Sequence, residues 1–169
     1  MNIAASIVSH GHGAAVEALL AQLAALGEPG LARVIVTFNV PEPASAERLR
    51  GRHWPFQLHL VDNPAPLGFG ANHNRAFALD ARIDGGQPLF AVLNPDLRCL
   101  VNPFPPLVAE LQSDPRVGAA YPVQTDARGR VHVFHDVATA PRGRVLTFAD
   151  AGATLLGAIG TEEFGTLAV

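Results

Sequence analysis

Pro88-Leu-Phe-Ala-Val-Leu-Asn-Pro-Asp96 is an unbroken apolar run that ends in a turn and a carboxylate. A continuous apolar strand of this kind belongs to a parallel sheet covered by helices on both faces, because only there are both of its sides buried. Ligands of such sheets sit beyond the carboxyl ends of the strands, usually where strand order reverses. An aspartate at that position is placed to hold a metal ion and, through it, a phosphate-bearing substrate.

Outward from this run, strand-like and helix-like segments alternate. Ile3 to Val8 reads as a first strand, followed by the turn His10-Gly-His-Gly13. Ala14 to Leu26 carries Val16, Leu19, Leu20, Leu23 and Leu26 at helical spacing, and Gly27 stops it. Leu31 to Phe38 is a second strand. Asn39 to Pro55 reads as a loop with one helical turn. Phe56 to Val61 is a third strand, Phe69 to Arg82 a helix, and Leu89 to Leu93 the fourth strand. Pro105 to Gln112 opens with proline and reads as a helix. Val117 to Val123 is a fifth strand, and Thr125-Asp-Ala-Arg-Gly129 a hairpin turn into Val131 to Phe134. The alternation predicts an α/β fold with a mostly parallel sheet flanked by helices. Residues 1–140 form the expected domain and 141–169 a C-terminal tail, with a helix around Leu146 to Leu156.

Composition narrows the function classes. The 169 residues are 49% hydrophobic and 16% charged, which is globular rather than disordered. A formal net charge of -3 argues against nucleic acid, whose binders show a basic stripe. All twelve cationic side chains are arginine. Without lysine there is neither a Walker A phosphate loop nor Schiff-base chemistry. The single cysteine, Cys99, has no internal disulfide partner and reads as a core thiol in a reducing compartment. The N-terminus lacks the basic region of a signal peptide. The apolar stretch Ala151 to Gly160 is too short to span a bilayer core of about 30 Å. A cytoplasmic protein without a transmembrane segment is the expectation.

Candidate site residues gather at strand ends. Asn94-Pro-Asp96 has a bland reading as a β-turn, which proline and Asx residues favour locally. Gly68-Phe-Gly-Ala-Asn-His-Asn-Arg75 follows the third strand and opens a helix; glycines there let backbone approach a ligand, and the helix start favours an anion. It is a poor dinucleotide fingerprint, since His73 stands at the third glycine. Ser9-His10, Asn39 and Asp62-Asn63 follow the first three strands. The coincidence of polar residues at four consecutive strand ends argues for a site where no single one does.

These motifs, in this order, resemble the N-terminal part of family 2 glycosyltransferases with the GT-A fold, particularly rhamnosyltransferase-like members. The resemblance rests on Ile7-Val-Ser-His10, on the glycine segment between Asn63 and Asn74, on Leu93-Asn-Pro-Asp96 as a counterpart of the Asp-x-Asp motif, and on Asp114-Pro-Arg-Val-Gly118. It covers roughly residues 2–135. It implies a Rossmann-like GT-A sheet, shortened at the C-terminus, and Mg²⁺ or Mn²⁺ on Asp96 bridging a donor diphosphate. It implies Asn94 near the ribose, Ser9, His10 and Asn39 around the base, and Gly70 and Asn74 beneath the nucleotide. The implied partners are a nucleoside diphosphate sugar and a glycan or lipid-linked acceptor.

Departures from the family pattern bear on activity. Phe38 stands where the family has an aspartate that contacts the base, and His73 where it often has arginine. The family pattern continues into an acceptor half with a catalytic base, for which these 169 residues are expected to hold no counterpart; Glu162-Glu163-Phe164 does not match that segment. The catalytic residue is therefore unknown, and the expected function is a glycosyltransferase that moves a sugar from a nucleoside diphosphate donor to a glycan or lipid-linked acceptor, with the activity of this chain alone left open. The alternative is a non-catalytic nucleotide-sugar-binding module that pairs with a second copy or a partner transferase chain. His10-x-His12 and His132-x-x-His135-Asp136 also leave open a zinc site, which would need three or four converging ligands. Arg48, Arg50, Arg52, Arg142 and Arg144 read as solvated loop residues.

Overall fold

The computed structural model describes residues 1–114, 116–122, 124–125, 131–132 and 154–158. Its elements are β1 (Ile3–Ser9), α1 (Gly13–Leu26), β2 (Leu31–Phe38), α2 (Pro43–Arg50), β3 (Gln57–Asp62), α3 (Phe69–Arg82), β4 (Leu89–Leu93), α4 (Phe104–Ser113), β5 (Ala119–Ala120), β6 (Gln124–Thr125), β7 (Val131–His132) and β8 (Thr154–Ala158). Among the described residues six strands form one sheet in the order β3-β2-β1-β4-β8-β5, all neighbours parallel. β6 and β7 pair antiparallel as a separate ribbon.

The chain lays β2 and β3 successively on one side of β1, then returns to place β4 on the other. Ile7 of β1 lies opposite Val36 of β2 and Leu93 of β4. The order therefore reverses between β1 and β4, which is where an open parallel sheet leaves a crevice.

Side chains alternate across the strands and sort into two layers. Ile3, Ala5 and Ile7, Val34, Val36 and Phe38, and Leu89, Ala91 and Leu93 pack with α1, α2 and α4 in one apolar cluster. Ala4, Ile35, Phe90 and Val92 meet Ala76 and Phe77 of α3 on the opposite face. That second layer is unusually polar: Ser6, Arg33, Thr37, His73 and Asp80 are buried beside those apolar residues.

Three expectations change. Asn39 to Pro55 contains a full helix of eight residues rather than one turn. Pro43 starts it, good helix formers continue it, and buried Ala46 and Leu49 hold it on the core. The fifth strand is confined to Ala119–Ala120. The last three residues of the helix expected over Leu146 to Leu156 belong instead to β8, which pairs with β4 and β5. A short apolar run bounded by glycines does not declare its period, so helix and buried strand look alike in sequence. The hairpin turn 126–130 and residues 135–136, 142, 144 and 162–164 lie outside the described residues.

α3 is fixed to the sheet by a buried ion pair. The Arg33 guanidinium on β2 donates to Asp80 on α3, with both side chains almost fully buried. Arg33 Nε also donates to Gln57 Oε1 at 3.2 Å, and the Gln87 backbone N–H donates to Asp80 Oδ2 at 2.8 Å. A charge deprived of its partner in such a place costs about 3–5 kcal/mol. Asp80→Ala should accordingly lower the unfolding free energy by about that amount in urea titration. A loss under about 1 kcal/mol would show that water reaches the guanidinium.

Candidate functional site

β4 ends at Leu93, and Asn94 to Leu97 reverse the chain with a Leu97 N–H to Asn94 C=O bond of 3.3 Å. The local turn reading is thus correct, and the turn also projects Asp96 outward. α1 holds this loop in place: Gln22 Nε2 donates to the Leu97 carbonyl at 3.4 Å, and Gln22 Oε1 accepts from the Cys99 N–H at 3.1 Å. Cys99 is half-buried rather than a core residue, although desolvation still raises its thiol pKa.

Asp96 is exposed on the wall of a cleft of about 380 Å³ at the β1–β4 switch. That volume lies within the range of about 300–1,000 Å³ found for small-molecule sites. His10, His12, Asn39, Phe69, Asn72, His73, Asn94 and Asp96 contribute its chemistry, with Val8, Ala15, Leu67, Leu93 and Pro95 as its apolar surface. Asp96 makes no hydrogen bond or ion pair with a described residue.

Of the sequence candidates, His10, Asn39, Asn94 and Asp96 come together on this wall, whereas Ser9, Gly70 and Asn74 do not. Ser9 is fully buried; its Oγ–H donates to Glu42 Oε1 at 2.5 Å, and its Oγ accepts the His12 N–H at 3.1 Å. Gly70 is buried within α3, and Asn74 lies exposed on the same helix, outside the cleft. Helical rotation puts Asn72 and His73 inward and Asn74 outward.

Asn39 lines the cleft with its hydrogen-bonding capacity already used. Its Oδ1 accepts from the Leu67 N–H at 2.7 Å and from Asn63 Nδ2 at 2.9 Å. Its Nδ2 donates to the Leu67 carbonyl at 2.9 Å and to His10 Nδ1 at 3.1 Å. The Leu67 N–H fixes which end of the amide is oxygen. Asn63 Nδ2 also donates to Asn72 Oδ1 at 2.6 Å, and Asn72 Nδ2 reaches the carbonyls of Leu67 and Gly68 at 3.1 Å each. Three asparagines therefore stitch the ends of β2 and β3 to the start of α3. Asn39 is a structural part of the wall, and His10, as acceptor at Nδ1, carries its neutral-form proton on Nε2.

Glu42 has no local signal in the sequence because its partners are about thirty residues away. Its carboxylate accepts from the N–H groups of Gly11 at 3.0 Å and Gly13 at 2.8 Å as well as from Ser9. It thereby fills the N-terminal end of α1, where an incoming anion would otherwise find free amides. The approach is close enough that a Cβ on Gly13 would lie 2.0 Å from Ser45 Oγ and 2.7 Å from Glu42 Oε2. An incoming anion would therefore find these amides already taken.

His73 is the second feature that sequence reading passed over. It is buried against β1, its Nδ1 lies 2.8 Å from Ser6 Oγ, and its ring meets Phe69 edge-on at 4.4 Å between centroids. Desolvation lowers its pKa to about 4. The ring is neutral at pH 7. Among the described residues no group of three or more His, Cys, Asp or Glu side chains converges to hold a metal, so His10 and His12 do not complete a zinc site there. A hard divalent cation needs less from the protein, taking one or two carboxylates with water and substrate oxygens, and unpaired Asp96 fits that donor set.

Two outcomes follow. Glu42→Ala, which leaves the α1 amides and Ser9 without their acceptor, should cost about 1–3 kcal/mol in denaturant unfolding. His73 gives a pH dependence: its folded pKa lies below the unfolded value of 6.5, so the unfolded chain takes up the proton first. Its contribution is complete above pH 6.5 and is lost as pH falls toward 4, by about 3 kcal/mol in all. Unfolding free energies measured from pH 7 to pH 4 should fall less steeply in His73→Gln than in the unmutated chain; parallel curves would contradict the assignment.

Among the described residues no helix is long and apolar enough to cross a membrane. Comparison with protein-family models, with curated proteins and with solved structures finds no match to this chain.

Proposed function

We propose that the cleft binds a nucleoside diphosphate sugar through a divalent cation on Asp96, and that the chain is the donor-binding part of a family 2-like glycosyltransferase of GT-A type. One observation carries this reading: a carboxylate with no partner among the described residues stands on the cleft wall at the end of β4, where strand order reverses. The order β3-β2-β1-β4 supports a Rossmann-like nucleotide site in that crevice. The motif resemblance adds the substrate class.

The charge argument favours a cation over amides. Glu42 already occupies the α1 terminus, and arginine is the sole strongly cationic side chain in the sequence. None of the described arginines lines the cleft. Opposite unit charges about 4 Å apart interact by roughly 4 kcal/mol at an effective dielectric near 20, against at most about 2 kcal/mol for a helix end. Mg²⁺ or Mn²⁺ would neutralise the diphosphate and stabilise it as a leaving group. Asp96 holds and orients that charge, Asn94 offers an amide beside it, and the Gln22 latch keeps the loop in register. Phe69 and Leu67 supply apolar surface for a ring.

The alternative, a non-catalytic binding module or partner subunit, is favoured by a different observation. Asp96 is the one carboxylate among the described residues of the cleft wall, so a second carboxylate to act as general base is not among them. Base assistance is typically worth about 10²- to 10⁴-fold. A panel of UDP- and dTDP-linked sugars with Mn²⁺ separates the two readings. Sugar transfer or hydrolysis above buffer supports the transferase, binding without turnover supports the module, and no binding by calorimetry removes both.

Asp96→Ala should reduce Mn²⁺-dependent UDP binding by more than about tenfold while changing apo stability by under about 0.5 kcal/mol. A large loss of apo stability would instead assign Asp96 to the turn alone.

A further inference from the structure

Among the described residues, His73 Nε2 is the one buried side-chain nitrogen or oxygen without a hydrogen-bond partner. Its residue is 3% exposed yet forms part of the cleft wall. A buried polar atom left unpaired is destabilising, so its retention on a cleft wall calls for an occupant.

The neighbouring hydroxyl identifies the missing partner. Ser6 is fully buried, and its Oγ has one hydrogen-bonding neighbour among the described residues, His73 Nδ1. If Nδ1 carried the ring proton, the Ser6 O–H would itself lack an acceptor. Donation from Ser6 to Nδ1 satisfies the hydroxyl and leaves the proton of the neutral ring on Nε2. The unpartnered atom is then an N–H group on a residue of the cleft wall.

We propose that His73 is a specificity-determining residue of the cleft, whose Nε2–H donates to an uncharged acceptor oxygen of the bound ligand. This rests on the sugar-nucleotide reading and adds to it. The diphosphate belongs with Asp96 and its cation, while the oxygen at His73 is a carbonyl or hydroxyl of the base, ribose or sugar. Neutrality of the ring, enforced by burial, makes it a dipolar donor rather than a competing site for phosphate. Phe69, edge-on to the imidazole, fixes the ring plane and hence the donor direction.

The experiment combines ¹⁵N-edited imidazole spectra with calorimetry, using UDP and UDP-glucose in the presence of Mn²⁺. The expected free-protein spectrum shows His73 protonated at Nε2, with that proton resonance shifting when UDP or UDP-glucose is added. His73→Leu should weaken binding about five- to tenfold, and His73→Gln, which keeps a side-chain N–H, should lose less. Equal loss for both ligands assigns the oxygen to the nucleoside; loss for UDP-glucose alone assigns it to the sugar. Protonation at Nδ1, or His73→Leu binding as tightly as the unmutated chain, overturns the proposal and leaves the cleft reading intact. Failure of the unmutated chain to bind either nucleotide removes the cleft reading and this proposal with it. Should His73→Leu not fold, the spectra decide: an Nε2 proton unmoved by bound nucleotide overturns the proposal.

Discussion

β1 is hydrogen-bonded along both edges by parallel strands, β2 on one side and β4 on the other, and the site depends on that arrangement. β2 and β3 extend the sheet one way, and β4 must cross back to pair with the other edge of β1. The connection leaving β4 is tied to α1 through Gln22, and a gap remains beside it at the strand ends. Asp96 and Asn94 stand on one side of that gap, His10 and His12 on another, and the start of α3 closes it with Phe69 and His73.

Strand ends and helix starts of a parallel sheet carry unsatisfied backbone groups, and this chain satisfies many of them with its own side chains. Glu42 serves the start of α1, and the three asparagines serve the segment between β3 and α3. The consequence is selective. Groups that a sequence reading treats as ligand contacts, Ser9 and Asn39 among them, are consumed internally. Among the described residues Asp96 and His73 Nε2 remain uncommitted, one a carboxylate at the surface and the other a neutral nitrogen in the interior. A ligand that satisfies both must carry compensated charge at one end and neutral polarity at the other.

The sheet was legible because its strands are continuous apolar runs. Leu31–Phe38 and Leu89–Leu93 have the boundaries expected from sequence, as does α3, whose glycine-rich start and periodic interior are local signals. Gly27 ends α1 in the left-handed conformation that its residue type permits. What escaped was non-local. Glu42 reaches across about thirty residues, Gln22 across more than seventy, and Ser6 to His73 across sixty-seven. No window of sequence contains both ends of such a contact. β8 escaped for another reason: its neighbours in the sheet come from distant parts of the chain, and its own residues state no clear period.

The contrast between the two faces of the sheet explains why the site sits where it does. α1, α2 and α4 cover one face mainly through apolar packing, with Glu42 and Gln22 adding polar contacts at the strand ends. α3 covers the other through directional contacts. The Arg33–Asp80 pair fixes its C-terminal end, the asparagine cluster fixes its start, and Ser6 engages His73 between them. A shift of α3 by one residue would break all three at once, leaving a buried charge, an open amide cluster and a stranded hydroxyl. Burying those polar groups contributes less net stability than an apolar layer of equal area, since each must first lose its water. In return it holds the helix in one register, and the position of His73 over β1 is set by that register rather than by packing alone.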